Sequence, residues 1–387
     1  MDKIKLGIIG YGNMGTSHAR NIAEGKVPNV ELCAICDIDP ARKAVCEKNH
    51  PTVAFFEKAE DLMASGLCDS ILIAVPHYDH PTYAIKAFEL GLNVIVEKPA
   101  GVYTKQVLEM NEAAKKSGKT FGIMYNQRTN RVYQRLKQMI DNGDLGHIKR
   151  ITWIVTTWYR CQAYHNSSAW RSRWETDGGG TLINQNPHQL DLWQWLFGVP
   201  DKIYAKVAFG KYYDIEVEDE VVALFEYNNG TIGQYITSTA ETPGTNRLEI
   251  ACDMGKVIVE EDGNITFVKN EMSEREWNKI RKVAFGKPKT DIINEKIYSN
   301  EDGQHATLLK DYANAVLTGA PLLAPGEEGI KGLTISNAIH LSGWTGETVD
   351  LNNFPHDRFY DLLQEKIAKS THKKTVNKVF GDTRGTY

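Results

Sequence analysis

The sequence predicts an α/β fold in two parts: an N-terminal Rossmann dinucleotide-binding domain and a C-terminal α/β domain with a large, open-faced, mostly antiparallel sheet. Three observations lead to this prediction. Short apolar runs alternate with helical patterns over the first 125 residues, strands of alternating polarity follow, and a glycine-rich turn joins the first apolar run to the first helix. A chain of 387 residues is also longer than a single domain with one hydrophobic core usually is.

The apolar runs of the first part are typical of a parallel sheet buried on both faces, because they contain almost no polar residues. Helical patterns follow the first four runs, beginning near residues 13, 40, 80 and 104. The runs are IKLGII, VELCAIC, SILIAV, NVIVE and TFGIMY. We assign residues 1–125 to the dinucleotide-binding domain.

From residue 126 the pattern changes to one helix (NRVYQRLKQMIDNG), long alternating strands and two late helices. The turns YNNGT and EEDGN indicate hairpins. The strands are HIKRITWIVTTWY, EVVALFEY, TIGQYITST, NRLEIAC and KVIVEE, and the late helices are DGQHATLLKDYANAVL and EEGIKGLTISNAIHLSGW. We assign residues 126–355 to a substrate-binding and oligomerisation domain, and residues 356–387 to a C-terminal helix with a loose tail.

Composition excludes several classes of protein. The formal net charge is −4, and no stripe of basic residues suggests nucleic-acid binding. No apolar run is long enough to cross a membrane, and we expect no signal peptide in the first residues. Six cysteines form no disulfide framework, and Cys33 and Cys36 face opposite sides of one strand, so we interpret them as core thiols. The expectation is a cytoplasmic protein without a metal site.

The first chemical motif is GYGNMG, which directly follows the first strand and opens the first helix. In this context Gly10 permits the turn, Gly12 lets the backbone approach a pyrophosphate, and Gly15 lets the helix pack closely on the sheet. Asp37 ends the second strand and suits the hydroxyls of an adenosine ribose, which favours NAD over NADP, although Arg42 nearby could accommodate a 2′-phosphate. The remaining cofactor candidates in the turn are Tyr11, Asn13 and Met14.

The second motif is EKPA, at the carboxyl end of the fifth strand, where open parallel sheets bind ligands. The ammonium of Lys98 could hydrogen-bond a substrate hydroxyl, and desolvation would lower its pKa toward the working range of a base. The alternative is a surface lysine beside the rigid Pro99.

The third motif is GGGTLINQNPHQLDLWQW, residues 178–195. On one helix Asn184, His188 and Asp191 would share a face. The three glycines would let the backbone approach a flat ligand such as a nicotinamide, and His188 is a candidate for proton transfer because histidine titrates near neutrality. The alternative is a core histidine that Asp191 satisfies.

Together these motifs resemble the glucose–fructose oxidoreductase/inositol dehydrogenase (Gfo/Idh/MocA) family, in order and spacing over residues 4–350. The segments PHYDHPTYAIKAFELGLNVIVEKP and YNQR also resemble that family. The resemblance implies catalytic roles for Lys98 and His188, and an open-faced sheet used for dimer or tetramer contacts. Further cofactor-binding candidates are Ala74, Pro76, His80, Glu97, Lys98, Asn126, Trp170 and Arg171.

One position departs from the inositol dehydrogenases of this family, which carry an aspartate where this chain has Asn184. An asparagine can orient the imidazole through a hydrogen bond, but it cannot stabilise an imidazolium by charge. Asn184 therefore stays in the predicted catalytic set, inositol chemistry becomes less favoured, and Lys98 would carry more of the proton transfer.

The segment WYRCQAYHNSSAWRSRW, residues 158–174, combines aromatic faces with forked polar groups, as carbohydrate sites do. It resembles most the family members that oxidise intact pyranosides, such as levoglucosan or C-glycoside 3-dehydrogenases. Each residue could instead belong to a packed loop or an oligomer contact, and His305 could be an ordinary first-turn helix residue. The substrate candidates are Lys98, Tyr159, Arg160, Tyr164, His165, Asn184, His188 and His305.

The sequence thus predicts an NAD-dependent oxidoreductase that oxidises a secondary ring hydroxyl of a sugar, glycoside or related polyol, with C3 as one candidate position. The partner is a small carbohydrate, and a homodimer or homotetramer is expected. The alternatives are an NAD-retaining glycosidase or lyase that acts by transient oxidation and elimination, an inositol dehydrogenase, and a non-catalytic nucleotide sensor, which would need neither Lys98 nor His188.

Overall fold

A computed structural model describes residues 2–298 and 303–371. Its first sheet has six parallel strands, as the apolar runs predict. The strands are β1 Ile4–Ile9, β2 Val30–Cys36, β3 Ala54–Phe56, β4 Ser70–Ile73, β5 Asn93–Val96 and β6 Phe121–Ile123. The helices are α1 Asn13–Ala23, α2 Ala41–Asn49, α3 Ala59–Ala64, α4 Asp79–Glu89 and α5 Thr104–Ser117. Strand β3 and helix α3 were not predicted, because three and six residues are too few to show a period.

The strand order is β3-β2-β1-β4-β5-β6, so the direction of winding reverses between β1 and β4. That order is the one of dinucleotide-binding Rossmann domains, and the reversal opens a crevice at the carboxyl ends of the strands. The turn after β1 and the loops after β4 and β5 all lie at this edge. The Rossmann prediction is therefore confirmed.

The second sheet has nine strands in the described part of the chain, in the order β14-β13-β12-β11-β7-β10-β9-β8-β15. The strands are β7 Ile148–Val155, β8 Lys202–Phe209, β9 Glu218–Glu226, β10 Ile232–Ser238, β11 Asn246–Cys252, β12 Gly255–Glu260, β13 Asn264–Asn270, β14 Thr290–Lys296 and β15 Val349–Asp350. Of these, β7 and β9 to β12 were predicted, and β8, β13, β14 and β15 were not. Strand β7 pairs in parallel with β10, and the other pairs recorded for this sheet are antiparallel.

The helices of the second half are α6 Arg131–Asp141, α7 Gln162–His165, α8 Pro187–Phe197, α9 Glu274–Ile280, α10 Gln304–Thr318, α11 Gly329–Thr345 and α12 His356–Ala368. Short 3-10 helices cover Asn126–Thr129 and Gly326–Glu328, and a π-helix covers Thr181–Gln185. Helix α12 agrees with the C-terminal helix that we predicted. The predicted tail lies beyond residue 371, outside the described residues.

Two hydrophobic cores support the two sheets. The first packs the parallel sheet with its helices and also takes in α10 side chains such as Leu309 and Tyr312. The second fills one face of the nine-stranded sheet, and α8 packs there through Trp193. The opposite face of that sheet carries exposed apolar side chains on β9 and β10, namely Val222, Leu224 and Ile232. All six cysteines are free, and no helix of the described ranges is long and apolar enough to cross a membrane.

Candidate active site

The glycine-rich turn between β1 and α1 has the shape that a bound dinucleotide requires. Gly10 has a φ of +95°, and a Cβ there would lie 2.4 Å from the carbonyl oxygen of Ala74. A Cβ at Gly15 would lie 1.9 Å from the carbonyl oxygen of Gly10, so α1 can pack here only without a side chain. At Gly12, in contrast, no heavy atom of the described residues lies within 4 Å of a built Cβ. Open space next to a helix N-terminus fits a pyrophosphate.

Asp37 lies directly beside this turn. Its Oδ2 accepts a hydrogen bond from the backbone N–H of Tyr11 at 2.7 Å, and its Oδ1 accepts one from Asp39 at 2.8 Å. The carboxylate is thus fixed at the end of β2 and remains partly exposed, as the ribose of an NAD molecule would need. Two further candidates, Asn13 and Met14, are the first residues of α1. The carbonyl oxygen of Pro76, another candidate, accepts a hydrogen bond from the backbone N–H of Asp79 at the start of α4.

Two further cofactor candidates hold neighbouring loops together. The His80 ring nitrogens contact the carbonyl oxygens of Pro99 at 2.7 Å and Val75 at 2.8 Å, so they are not available to a ligand. The amide nitrogen of Asn126 donates to Oε1 of Gln304 at 3.0 Å, which ties the segment after β6 to α10. Both side chains are buried, and both position the loops at the carboxyl edge of the first sheet.

Lys98 points from the end of β5 toward the second half of the chain, since its Nζ donates to the backbone carbonyl of Asn184 at 2.9 Å. Burial lowers the pKa of Lys98, although the nearby Glu97 carboxylate works in the opposite direction. Oε1 of Glu97 accepts a hydrogen bond from Nε2 of His18, and the two atoms lie 2.7 Å apart. Burial would raise the pKa of Glu97, but the His18 hydrogen bond and the surrounding cationic groups hold it below its usual value. The structure thus contradicts the alternative of a surface lysine.

His188 lies in the first turn of α8 and is only 2% exposed. Within residues 2–298 and 303–371, neither of its ring nitrogens has a hydrogen-bond partner. Burial, and then the neighbouring Lys98 and His305, lower the pKa of His188 well below its ordinary value, which favours the neutral ring. A buried polar group without a partner is costly, and at a functional site it indicates a group kept for a ligand.

His305 comes to the same place from the first turn of α10. Its ring centroid lies 5.7 Å from that of His18, and burial lowers its pKa to about 4. The charges of Lys98 and Glu97 contribute to that pKa, as they do for His188. Lys98 and His305 thus both lie close enough to His188 to lower its pKa, and Lys98 also lowers the pKa of His305.

The predicted single helical face of Asn184, His188 and Asp191 is wrong. Residues Thr181–Gln185 form a π-helix and α8 begins afresh at Pro187, so the side chains before and after this break point in different directions. Asn184 donates to both carboxylate oxygens of Asp177, at 3.1 and 3.2 Å, and does not contact the imidazole. The expectation that Asn184 orients His188 is therefore wrong, and so is the alternative of a histidine that Asp191 satisfies.

Asp191 instead forms a buried bidentate ion pair with Arg128. Nε and Nη2 of Arg128 donate to the two carboxylate oxygens at 2.8 and 2.6 Å, and both side chains are 1% exposed. Nη1 of the same guanidinium donates to Glu328 at 2.6 Å. This pair joins the 3-10 helix after β6 to α8, and thereby holds the start of α8 in place.

Sequence reasoning missed Asp177, which is 1% exposed and lies just before the three glycines. Its Oδ2 accepts the backbone N–H of Ser172 at 2.8 Å, and its Oδ1 lies 3.3 Å from Nδ1 of His77. It is also one of the groups that raise the pKa of Lys98. A carboxylate thus lies against the Asn184 side chain, but it belongs to a residue seven positions earlier in the chain. No motif spacing in the sequence indicates this contact.

The three glycines lie directly against other parts of the protein. A Cβ at Gly178 would lie 2.3 Å from Val102, and one at Gly180 would lie 2.0 Å from the carbonyl oxygen of Glu218 in β9. They thereby let the chain that carries Asn184 pack directly against β9. The expectation that they make room for a nicotinamide stays a prediction.

Most of the predicted substrate wall is connected to this site. The Arg171 guanidinium lies over the rings of Trp170 at 4.5 Å and Tyr164 at 4.6 Å, and donates to the Tyr164 hydroxyl at 2.8 Å. That hydroxyl donates to Oδ1 of Asn184 at 3.3 Å. Arg160 lies 5.0 Å from the Tyr164 ring. Arg160 and Arg171 are both among the charges that lower the pKa of Lys98.

Two candidates of the wall contact its other residues rather than Lys98. Tyr159 is 45% exposed, its carbonyl accepts a hydrogen bond from Arg160, and its side chain is hydrogen-bonded with Tyr213. The ring of His165 is buried, and its Nδ1 lies 2.7 Å from the Ser172 hydroxyl. Among the described residues, no group of His, Cys, Asp and Glu side chains is arranged to hold a metal ion.

The sheet order, the glycine-rich turn and Asp37 place this chain in the class of dinucleotide-binding proteins, and a partly buried lysine and an unpartnered imidazole lie in its second and third motifs. The chain belongs to the Gfo/Idh/MocA oxidoreductase family. The family's NAD-binding Rossmann fold matches residues 4–125, and its C-terminal domain matches residues 133–258.

Individual relatives agree with this assignment. A putative oxidoreductase, YteT of Bacillus subtilis, is 29% identical over 47% of this chain and 44% of its own length. The D-glucoside 3-dehydrogenase of Escherichia coli is 26% identical over 61% of this chain and 70% of its own. The first of these matches spans about half of each chain. The solved WlbA dehydrogenase of Chromobacterium violaceum, in complex with NADH and UDP-GlcNAcA, superposes with a TM-score of 0.77 at 26% identity, covering 90% and 96% of the two chains.

Proposed function

We propose that this protein is an NAD-dependent dehydrogenase that oxidises a secondary ring hydroxyl of a sugar, glycoside or related polyol, with C3 as one candidate position. The observation that carries the proposal is that a partly buried lysine at the carboxyl edge of the dinucleotide-binding sheet lies close enough to a buried, unpartnered imidazole to lower its pKa. A relative named as a D-glucoside 3-dehydrogenase supports the substrate class.

Lys98 is the better proton acceptor of the two groups. Burial moves the pKa of Lys98 down toward the working pH, whereas it moves the pKa of His188 down and away from it. A general base works best when its pKa lies near the operating pH. We therefore assign the hydroxyl proton to the neutral amine of Lys98, and to the neutral His188 the role of a hydrogen-bond partner that fixes the hydroxyl.

The cofactor fits the residues present. Gly12 leaves open space where a pyrophosphate would lie, Asp37 would accept hydrogen bonds from the ribose hydroxyls, and the β4 and β5 loops form the edge of the crevice. Bound NAD supplies the acceptor for the hydride that leaves the carbinol carbon. The substrate loses a proton and a hydride in total, and the chain contributes the proton acceptor and the alignment.

The test is to incubate the purified protein with NAD and a panel of pyranosides, alkyl glycosides and inositols, and to follow reduced nicotinamide by absorbance. We expect oxidation of at least one glycoside, and its loss in Lys98→Met. Identification of the ketone by mass spectrometry and NMR gives the ring position. Cleavage of a glycosidic bond without net NADH, or absence of turnover across the panel, would refute the proposal.

We also propose that the open face of the nine-stranded sheet packs against a second copy of the chain. Val222, Leu224 and Ile232 lie on this face and are 39%, 45% and 54% exposed. Exposed apolar side chains grouped on one face of a sheet mark a candidate subunit contact. Light scattering after size exclusion should give a dimer or tetramer, and Leu224→Lys should shift it toward the monomer. A wild-type monomer would refute this assignment.

A further inference from the structure

A cavity of about 420 Å³ lies next to the catalytic cluster. Two of the side chains that line it are neighbours of the cluster's histidines in the chain: Gln189 directly follows His188, and Gln304 directly precedes His305. Arg160, which lines it as well, is one of the charges that lower the pKa of Lys98. The volume falls in the range of small-molecule sites. The cavity is therefore lined by direct chain neighbours of His188 and His305.

Its lining has the composition of a sugar-binding surface. The half-buried ring of Trp158 offers a flat face, with the guanidinium of Arg160 at 5.6 Å from its centroid. Amide side chains provide the polar groups, and these are Gln127, Asn130, Gln189, Asn246 and Gln304. Gln189 is 3% exposed, and its Oε1 finds no hydrogen-bond partner in the described part of the chain. A buried acceptor of this kind suits a ligand hydroxyl.

Most of the cavity lining is uncharged. The charged members are Arg160, Glu260 and Glu261. Glu260 is 51% exposed and paired with Arg247 at 2.6 Å, and Glu261 is exposed as well, so solvent screens both carboxylates. The remaining polar groups include amides and a threonine hydroxyl, which suit the hydroxyls of a neutral sugar.

We propose that this cavity is a second sugar subsite: it holds the neutral sugar ring that is joined by a glycosidic bond to the ring oxidised at Lys98 and His188. The inference rests on the proposed function and makes it narrower, because the preferred substrates become disaccharides and glycosyl-glycosides rather than free monosaccharides, inositols or nucleotide sugars. No new bond chemistry is involved, since the second ring only binds.

The experiment measures equilibrium binding to the NADH-saturated protein by isothermal titration. The probes are maltose, cellobiose, lactose and trehalose, each compared with the methyl glycoside of its non-reducing ring, and a UDP-sugar. We expect at least one disaccharide to bind on the order of tenfold more tightly than its methyl glycoside, the contribution of one aromatic platform with its hydrogen bonds. Equal binding across every pair, or a UDP-sugar that binds more tightly than the disaccharides, would overturn the inference.

Variants test the location of the second ring. Trp158→Ala and Gln189→Leu should each reduce the disaccharide preference to about threefold or less. The control is Trp277→Ala, which removes a tryptophan of α9 whose ring lies under Arg281, outside the cavity lining. It should keep the full preference. Circular dichroism of each variant checks the fold, and a preference that survives both cavity variants would place the second ring elsewhere.

Failure of the inference and failure of the proposed function can be told apart. If methyl glycosides are oxidised as efficiently as disaccharides and bind equally well, the dehydrogenase stands and the subsite falls. If a disaccharide binds with the expected preference and Trp158→Ala abolishes it, but no substrate yields NADH, the subsite stands and the dehydrogenase falls.

Discussion

Replacement of Asp191 by asparagine separates two roles that the sequence leaves open for this residue. In the structure its carboxylate contacts Arg128, with both side chains 1% exposed, and does not contact His188. Burial alone would lower the pKa of Arg128, but Asp191 and Glu328 raise it, so the guanidinium stays charged. Asp191→Asn should therefore destabilise the fold rather than change the protonation of the imidazole.

The magnitude follows from the burial of the pair. Removal of one partner from a fully buried ion pair costs about 3–5 kcal/mol. Glu328 remains bonded to Nη1 at 2.6 Å in the variant, and the asparagine oxygen can still accept one hydrogen bond. Both effects favour the lower end, so we expect a loss of about 3 kcal/mol in the free energy of unfolding.

Urea denaturation followed by circular dichroism measures this loss, and the chain offers a matched control. Arg135 and Glu295 form the same bidentate geometry, at 2.8 and 2.9 Å, but their side chains are 34% and 33% exposed. Solvent screens such a pair, so Glu295→Gln should cost less than about 1 kcal/mol.

The reasoning would be refuted if Asp191→Asn unfolded at the same urea concentration as the wild type. A variant of unchanged stability whose turnover fell and whose pH profile moved would show that Asp191 acts on His188 after all. Equal losses in Asp191→Asn and Glu295→Gln would show that burial does not govern the strength of these pairs.

Four further predictions concern the site. Gly12→Ala should fold normally, because its Cβ enters open space, but should weaken NADH binding at least about tenfold in a fluorescence titration; unchanged affinity would place the pyrophosphate elsewhere. Lys98→Met should lower turnover by about 10²–10⁴-fold while NADH still binds, and residual turnover within tenfold of the wild type would exclude Lys98 as the base. The oxidation rate of the wild type should rise with pH as Lys98 loses its proton, with a midpoint below the ordinary lysine pKa of 10.5, because burial lowers the pKa. Asp177→Asn should move that midpoint to still lower pH, since it removes a carboxylate that raises the pKa of Lys98, and an identical profile would disprove the coupling.

The first sheet could be predicted because its strands are continuous apolar runs between helices, so that each run stands out from its neighbours. Two of the missed strands lack such contrast. Strand β3 has only three residues, and β14 at the edge of the second sheet is exposed at six of its seven positions, so it has no buried face to produce alternation. Strands β8 and β13 do alternate in burial, so burial alone does not explain why they were missed.

The site could be predicted only where a single local signal fixes a position. Lys98 closely follows β5 and His188 lies on the first turn of a helix. The order of strands and helices in this fold therefore brings both residues to one edge. The ion pair between Arg128 and Asp191 spans 63 residues and leaves no trace in local spacing. One available signal was Pro187, because proline favours the first position of a helix and so argued that Asn184 lies outside α8.

The single parallel pairing between β7 and β10 has a consequence for how the site comes into being. Ile232 aligns with Arg150, more than eighty positions earlier, and the intervening stretch carries Asp177, Asn184 and His188. This stretch is a closed loop only once the two strands have joined. Contacts so distant along the chain form slowly, because the entropy of closing the loop is lost before the pairing repays it. During renaturation, amide protection in β7 and β10 should therefore appear together with the ability to bind sugar, and later than protection in β1 and β2.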